Sequence, residues 1–130
     1  MRPKIYLFGD SITEESFRDG GWGASLANLF SRTVDVVLRG YSGYNSRYAA
    51  FQQVPVDEYK QNLHSIVSSL KKRWPKALIL LITPPPIDED ERLRHPYAEN
   101  PSGLPERTNE AACAFAKAVL KLLGNVESLW

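Results

Sequence analysis

Apolar residues follow two rhythms along this chain: short unbroken runs, and longer stretches in which they recur three and four apart. The run at 4–8, Lys-Ile-Tyr-Leu-Phe, has the pattern of a buried strand, and it ends in Gly9-Asp10-Ser11 with a helix-like segment after it. Gly20-Gly21-Trp22-Gly23 reads as a turn. Trp22, Leu26, Leu29 and Phe30 then share one face of a helix over about 22–30. A second strand is expected at 34–38. A glycine-rich loop follows, Gly40-Tyr41-Ser42-Gly43-Tyr44-Asn45, with a helical turn toward Phe51.

The clearest helix spans 55–73. Pro55 suits a first helical position, Asp57 and Glu58 sit in the first turn, and Lys71, Lys72 and Arg73 face the negative end of the dipole. Val56, Tyr59, Leu63, Ile66, Val67 and Leu70 form its buried face. The run 77–82, Ala-Leu-Ile-Leu-Leu-Ile, does not alternate and predicts a strand covered on both faces. Pro84-Pro85-Pro86 ends it, and a polar loop extends to Gly103. A structureless stretch of that length is functional or mobile. A last helix is expected over 105–123, capped by Gly124, with Ala112, Phe115, Val119, Leu122 and Leu123 inward and a nascent strand at 126–130. Strands alternating with helices predict an α/β fold, a three-layer α/β/α sandwich around a parallel sheet.

The bulk composition narrows the class. The chain's 130 residues fit one domain. A formal charge of +1 gives no reason to expect nucleic acid or an acidic membrane as partner. No apolar run approaches the ~20 residues of a membrane span, and no signal peptide is evident, so a cytoplasmic protein is expected. The single cysteine, Cys113, excludes an internal disulfide and reads as a small buried hydrophobe on a helix.

The chemistry gathers at two strand ends. Ser11 lies where open α/β sheets place their ligands, at the carboxyl end of a strand. Asp and Ser are also ordinary helix-capping residues, so the tripeptide alone favours a structural turn. The second glycine-rich loop changes that balance. In a parallel sheet both loops emerge at one edge, and the N–H groups of Ser11 and Gly43 can converge on one oxygen, as an oxyanion hole requires. His64 reads as a solvated helix residue. His95, in the long loop, is the remaining candidate base, although a mobile loop rarely holds a base within ~3 Å of its nucleophile. Tyr41, Tyr44, Arg47 and Tyr48 form an aromatic-basic cluster that lines a pocket as readily as it stacks bases. Asp88-Glu89-Asp90-Glu91 has no metal-ligand spacing and reads as solvated, so no metal or cofactor is expected.

These residues resemble the GDSL (SGNH) esterases and lipases, specifically the isoamyl acetate-hydrolysing esterase-like branch of plants and fungi. Phe8-Gly9-Asp10-Ser11-Ile12-Thr13-Glu14 is similar to the family's first block, and residues 39–45 to its second. Residues 55–63, 82–88 and 104–110 resemble branch-specific segments. The resemblance implies a flavodoxin-like sheet, Ser11 as nucleophile, Ser11 and Gly43 as oxyanion donors, and Asp10 as a support for the loop. The substrate it implies is a short-chain carboxylic ester. It also exposes two departures. The family's Gly-x-Asn-Asp block, which supplies an oxyanion asparagine, would fall between Phe51 and Val54, where only Gln52-Gln53 stands. The Asp-x-x-His block that supplies the base would lie beyond Trp130. The expectation is a single domain over 1–130, deleted near 51–54 and truncated after 130, with no identified base and little activity. With its central strand gone, 77–82 is expected to slide in beside 4–8. The alternative is a non-catalytic acyl- or ester-binding module, or a regulatory isoform, that pairs with another chain through an incomplete sheet edge.

Overall fold

The structure is a computed structural model that describes residues 2–42, 54–96, 99, 103–104 and 107–126. They belong to two compact units, Met1–Val54 and Pro55–Trp130.

In the first unit, β1 (Lys4–Gly9) pairs with β2 (Asp35–Gly40) in a parallel ladder that runs from Lys4 opposite Asp35 to Gly9 opposite Gly40. Asp35 N–H donates to Pro3 O and Tyr41 N–H to Gly9 O, each at 3.0 Å, so the ladder extends one residue past each end. The connection holds α1 (Ser11–Glu14), a 3₁₀ turn (Glu15–Phe17) and α2 (Trp22–Leu29). Strand alternation puts Leu7 in the core and turns Tyr6 and Phe8 outward, 59% and 67% exposed. β1 is therefore covered on one face only, not buried as its apolar run predicts, because the described sheet has two strands. Leu29 likewise leaves the buried face of α2 for solvent, whereas Gly23 is buried. A Cβ on Gly23 would sit 2.3 Å from Ser16 Oγ, so glycine lets α2 close on the 3₁₀ turn.

In the second unit, α3 (Val56–Arg73) packs on α5 (Asn109–Val126). Val67 of α3 is buried, as are Ala118, Val119 and Leu122 of α5, and Tyr59 meets Phe115 edge to face at 5.0 Å. Pro55 is the residue just before α3 rather than its first helical position. The loop expected to be structureless contains α4 (Glu89–Arg94), because Asp88 caps it by accepting from Glu91 N–H at 2.9 Å. α5 begins at Asn109 and passes through Gly124 to Val126, so Gly124 does not end it. The strand expected toward Trp130 lies outside the described residues, apart from Val126, which is helical.

The main correction concerns 77–82. This segment joins no sheet among the described residues. Its odd-numbered side chains are half-buried, and Leu78, Leu80 and Ile82 are 78–79% exposed. The expected paired strand is therefore not formed among the described residues, and the segment is not covered on both faces. Its composition is that of a central strand, but a strand needs a ladder partner, and among the described residues the one ladder is that of β1 with β2. What ties it down is local: Ala77 N–H donates to Trp74 O at 2.9 Å, and Lys71 Nζ donates to Ala77 O at 2.8 Å.

Candidate active site

The site is built where β1 and β2 end side by side. Asp10 leaves β1 with extended backbone and becomes the N-cap of α1. Its Oδ1 accepts from Ile12 N–H at 3.1 Å, and its carbonyl accepts from Thr13 and Glu14 at 3.1 and 2.9 Å. Ser11 is the first residue of α1, half-buried, at the carboxyl end of β1. Its hydroxyl makes no hydrogen bond among the described residues, and its N–H, in the first helical turn, has no partner within the helix. Trp22 braces the turn from α2, its indole Nε1–H donating to Ile12 O at 3.3 Å.

β2 reaches the same edge and continues through Gly40 to Tyr41 and Ser42. Gly40 is buried beneath α1: a Cβ there would lie 2.1 Å from Glu14 N and 2.5 Å from Thr13 C, both backbone atoms that cannot swing aside. Only glycine lets the helix that begins at Ser11 lie on the strand that leads to Gly43. Beyond Gly40, the Glu14 carboxylate closes the arrangement. Its Oε2 accepts from Ser42 N–H at 2.7 Å and from the Ser42 hydroxyl. The hydroxyl bond first and then the amide bond hold the Glu14 carboxyl below its ordinary value against the opposing effect of desolvation, with a smaller contribution from the positive charge of Arg18.

The structure thus brings Asp10 and Ser11 to one edge with the loop that precedes Gly43. Gly43 itself, with Tyr44, Arg47 and Tyr48, lies outside the described residues, and Tyr41 is exposed. Both histidines belong to the second unit and both are exposed. His64 lies on α3. His95 follows α4, where its Nε2 is 3.5 Å from Glu91 Oε1 and its carbonyl accepts from Arg92. The acidic run there is absorbed by structure: Asp88 caps α4, Glu89 accepts from Asn109 N–H at 2.6 Å, and Glu91 pairs with Arg94 at 3.3 Å. No cluster able to hold a metal occurs among the described residues.

Cys113 corrects another expectation. It is exposed, not buried, and lines a shallow groove of about 300 Å³ between Pro84-Pro85-Pro86 and α5. Asn109 forms one end of the groove and fixes Ile87 through both its backbone groups, at 2.7 and 2.8 Å.

Sequence reading missed the Glu14–Ser42 contact and the close approach at Gly40. A signal existed but pointed elsewhere: Ser11-Ile12-Thr13-Glu14 has the Ser-x-x-Glu spacing of a capping box, which would aim Glu14 back at its own helix. Asp10 takes the capping role, and that frees Glu14 for the neighbouring loop.

A serine-bearing turn at the end of one parallel strand, tied to the loop after the next, is an arrangement found in α/β hydrolytic enzymes. Comparison with known proteins makes the assignment specific. The GDSL-like Lipase/Acylhydrolase family model matches residues 5–52. A GDSL esterase/lipase of Arabidopsis thaliana is 52% identical over all of this chain and 71% of its own length. The isoamyl acetate-hydrolyzing esterase 1 homolog of Bos taurus is 37% identical over 67% of this chain and 49% of its own length. The solved structure of a Streptococcus pneumonia protein, described as a candidate platelet activating factor, shares the fold. Its TM-score is 0.66 at 24% identity, covering 94% of this chain and 61% of that one. The chain belongs to the GDSL esterase/lipase family, hydrolases that act on ester bonds. It spans about half to under three-quarters of the length of these relatives. The Arabidopsis match runs over 172 positions, 42 more than the 130 residues here, so that relative carries residues for which this chain has no counterpart.

Proposed function

We propose that this chain carries the nucleophile half of an esterase site for short-chain carboxylic esters. Ser11 Oγ attacks the ester carbonyl, and the N–H groups of Ser11 and Gly43 receive the charge that develops on its oxygen. The observation that carries this reading is the placement of Ser11: at the start of α1, its hydroxyl without a hydrogen bond among the described residues, beside the loop that continues from β2 into Gly43. Asp10 is the support of the turn, since its carboxylate is spent on the helix N-terminus.

The residues that this chain lacks relative to its Arabidopsis counterpart fall, on this proposal, between Gln52 and Val54. The end of the family match at residue 52 supports that position, as does the boundary between the two units after Val54. A missing oxyanion donor costs roughly 10²–10³ in turnover. For want of that donor, this chain should hydrolyse p-nitrophenyl acetate roughly 10²–10³-fold more slowly than the Arabidopsis relative. A fluorophosphonate probe tests the nucleophile directly. Covalent labelling that is abolished in Ser11→Ala supports the assignment, and labelling that survives in Ser11→Ala overturns it.

A second reading, a non-catalytic acyl-binding or regulatory chain, is favoured by one feature. β1 has no partner on its second edge among the described residues, and its own Tyr6 and Phe8 stand exposed on its uncovered face. Saturable binding of a non-hydrolysable ester analogue without any Ser11 labelling would select this reading over the first. The cytoplasmic location expected from the sequence remains part of the proposal. Among the described residues no helix is long and apolar enough to cross a membrane.

A further inference from the structure

We propose that Glu14 is a positioning residue, a clasp between the helix that begins at Ser11 and the loop that leads to Gly43. The proposal rests on the esterase reading for what the clasp serves, and on geometry alone for the clasp itself.

Glu14 lies one helical turn after Ser11, on the same short helix, so its backbone moves with the nucleophile. Its Oε2 takes both donors of Ser42, the amide at 2.7 Å and the hydroxyl. Two donors on one carboxylate oxygen fix the Ser42 backbone as well as its side chain. The direction of the next N–H, that of Gly43, depends on the torsion angles of Ser42. Gly40 supplies the second constraint: the backbone of Thr13 and Glu14 rests against it too closely for any Cβ. The loop is therefore held at Gly40 by backbone contact and at Ser42 by a charge-assisted pair, with Tyr41 between them still hydrogen-bonded to Gly9 O. Any displacement of α1 carries both Ser11 and Ser42 with it. This matters for an oxyanion site, because donors on two separate loops are useful only if their spacing is fixed before substrate arrives.

The chemistry separates a clasp from a merely structural acid. Glu14→Ala removes the acceptor. Glu14→Gln keeps a carbonyl oxygen that can accept one Ser42 donor and removes the charge. Ser42→Ala keeps the amide donor and removes the hydroxyl. On the full chain, the Ser42 amide proton should shift as Glu14 titrates in acid, with Arg18 as the other charged group facing the carboxylate. The shift should vanish in Glu14→Gln. Fluorophosphonate labelling of Ser11 should slow roughly tenfold to a hundredfold in Glu14→Ala, as expected for a reacting geometry displaced by about an ångström. Labelling should recover in part in Glu14→Gln, and Ser42→Ala should have no further effect in the Glu14→Ala background. The wild-type rate should also fall on the acid side as Glu14 protonates, a limb that Glu14→Gln lacks. A Ser42 amide unmoved by Glu14→Gln overturns the clasp. Undiminished labelling in Glu14→Ala overturns its positioning role. If the wild-type chain takes no label at all, the esterase reading fails, and the Ser42 amide still decides whether the clasp exists.

Discussion

β1 and the segment 77–82 are the two most strand-like runs in the chain, and only the less apolar of them is a strand. β1 mixes Lys4, Tyr6 and Gly9 with its aliphatics and still forms a six-residue parallel ladder with β2. Residues 77–82 are wholly aliphatic and pair with nothing among the described residues, leaving Leu78, Leu80 and Ile82 largely in solvent. The difference lies in what stands beside each run. β2 follows β1 after a crossover of 25 residues within the same compact unit, and the two strands satisfy each other's facing N–H and C=O groups. An interior strand needs neighbours on both edges, and those come from elsewhere in the sequence. Hydrophobicity makes a segment fit to be a core strand; the ladder is supplied by other residues.

The largest effect should come from supplying the missing neighbour. On the proposal that the residues this chain lacks fall between Gln52 and Val54, inserting the Arabidopsis relative's additional residues there should give 77–82 a ladder partner. Its amides should then exchange about a thousandfold more slowly, the equivalent of a local opening free energy near 4 kcal/mol. Burying Leu78, Leu80 and Ile82 would contribute ~1.5–3 kcal/mol each. Exchange as fast as in the present chain would show that 77–82 is not a strand awaiting a partner.

Next in size is a paired truncation. Leu7→Ala removes a buried β1 side chain and should destabilise the first unit by ~2–5 kcal/mol, read from amide exchange of β1 and β2. Leu80→Ala removes an exposed one and should change stability by no more than ~0.5 kcal/mol. Equal effects would erase the contrast between the two runs. Gly40→Ala should fall between them, ~1–3 kcal/mol, because the new Cβ meets α1 backbone and the helix must lift.

Local signals carried most of the fold. Apolar runs, helical spacing and capping residues located β1, β2, α2, α3 and α5 to within a few residues, since helix faces and strand runs are written in neighbouring positions. The errors lie where the outcome depends on distant ones. The burial of 77–82 depended on a strand partner. The exposure of Cys113 depended on which face of α5 met α3. The helix at 89–94 is a local miss instead: Asp88 caps it by accepting from Glu91 N–H, three residues on, where the acidic run reads as solvated. At the site, Ser11 and Asp10 were legible because a turn and its cap are local. Glu14 was not, because its partner is Ser42, and nothing in the spacing of two residues so far apart announces a contact made across two parallel strand ends.

The smallest effect, and the one that probes this long-range contact, is the acid response of the first unit. The Glu14 carboxyl sits below its ordinary value in the folded chain, chiefly because the Ser42 hydroxyl and then the Ser42 amide favour the charged form. A depressed carboxylate binds fewer protons when folded than when unfolded, so its contribution is complete above the unfolded value and is lost as pH falls through the lower folded one. Stability of β1 and β2 should therefore decline across that acid window by an amount that Glu14→Gln removes. The contact is solvent-exposed, so the decline should be modest and should shrink further in high salt, where the Arg18 contribution is screened. The 77–82 segment holds no carboxylate and should show no such step, so amide exchange followed in both regions through one acid titration measures the contrast within a single sample.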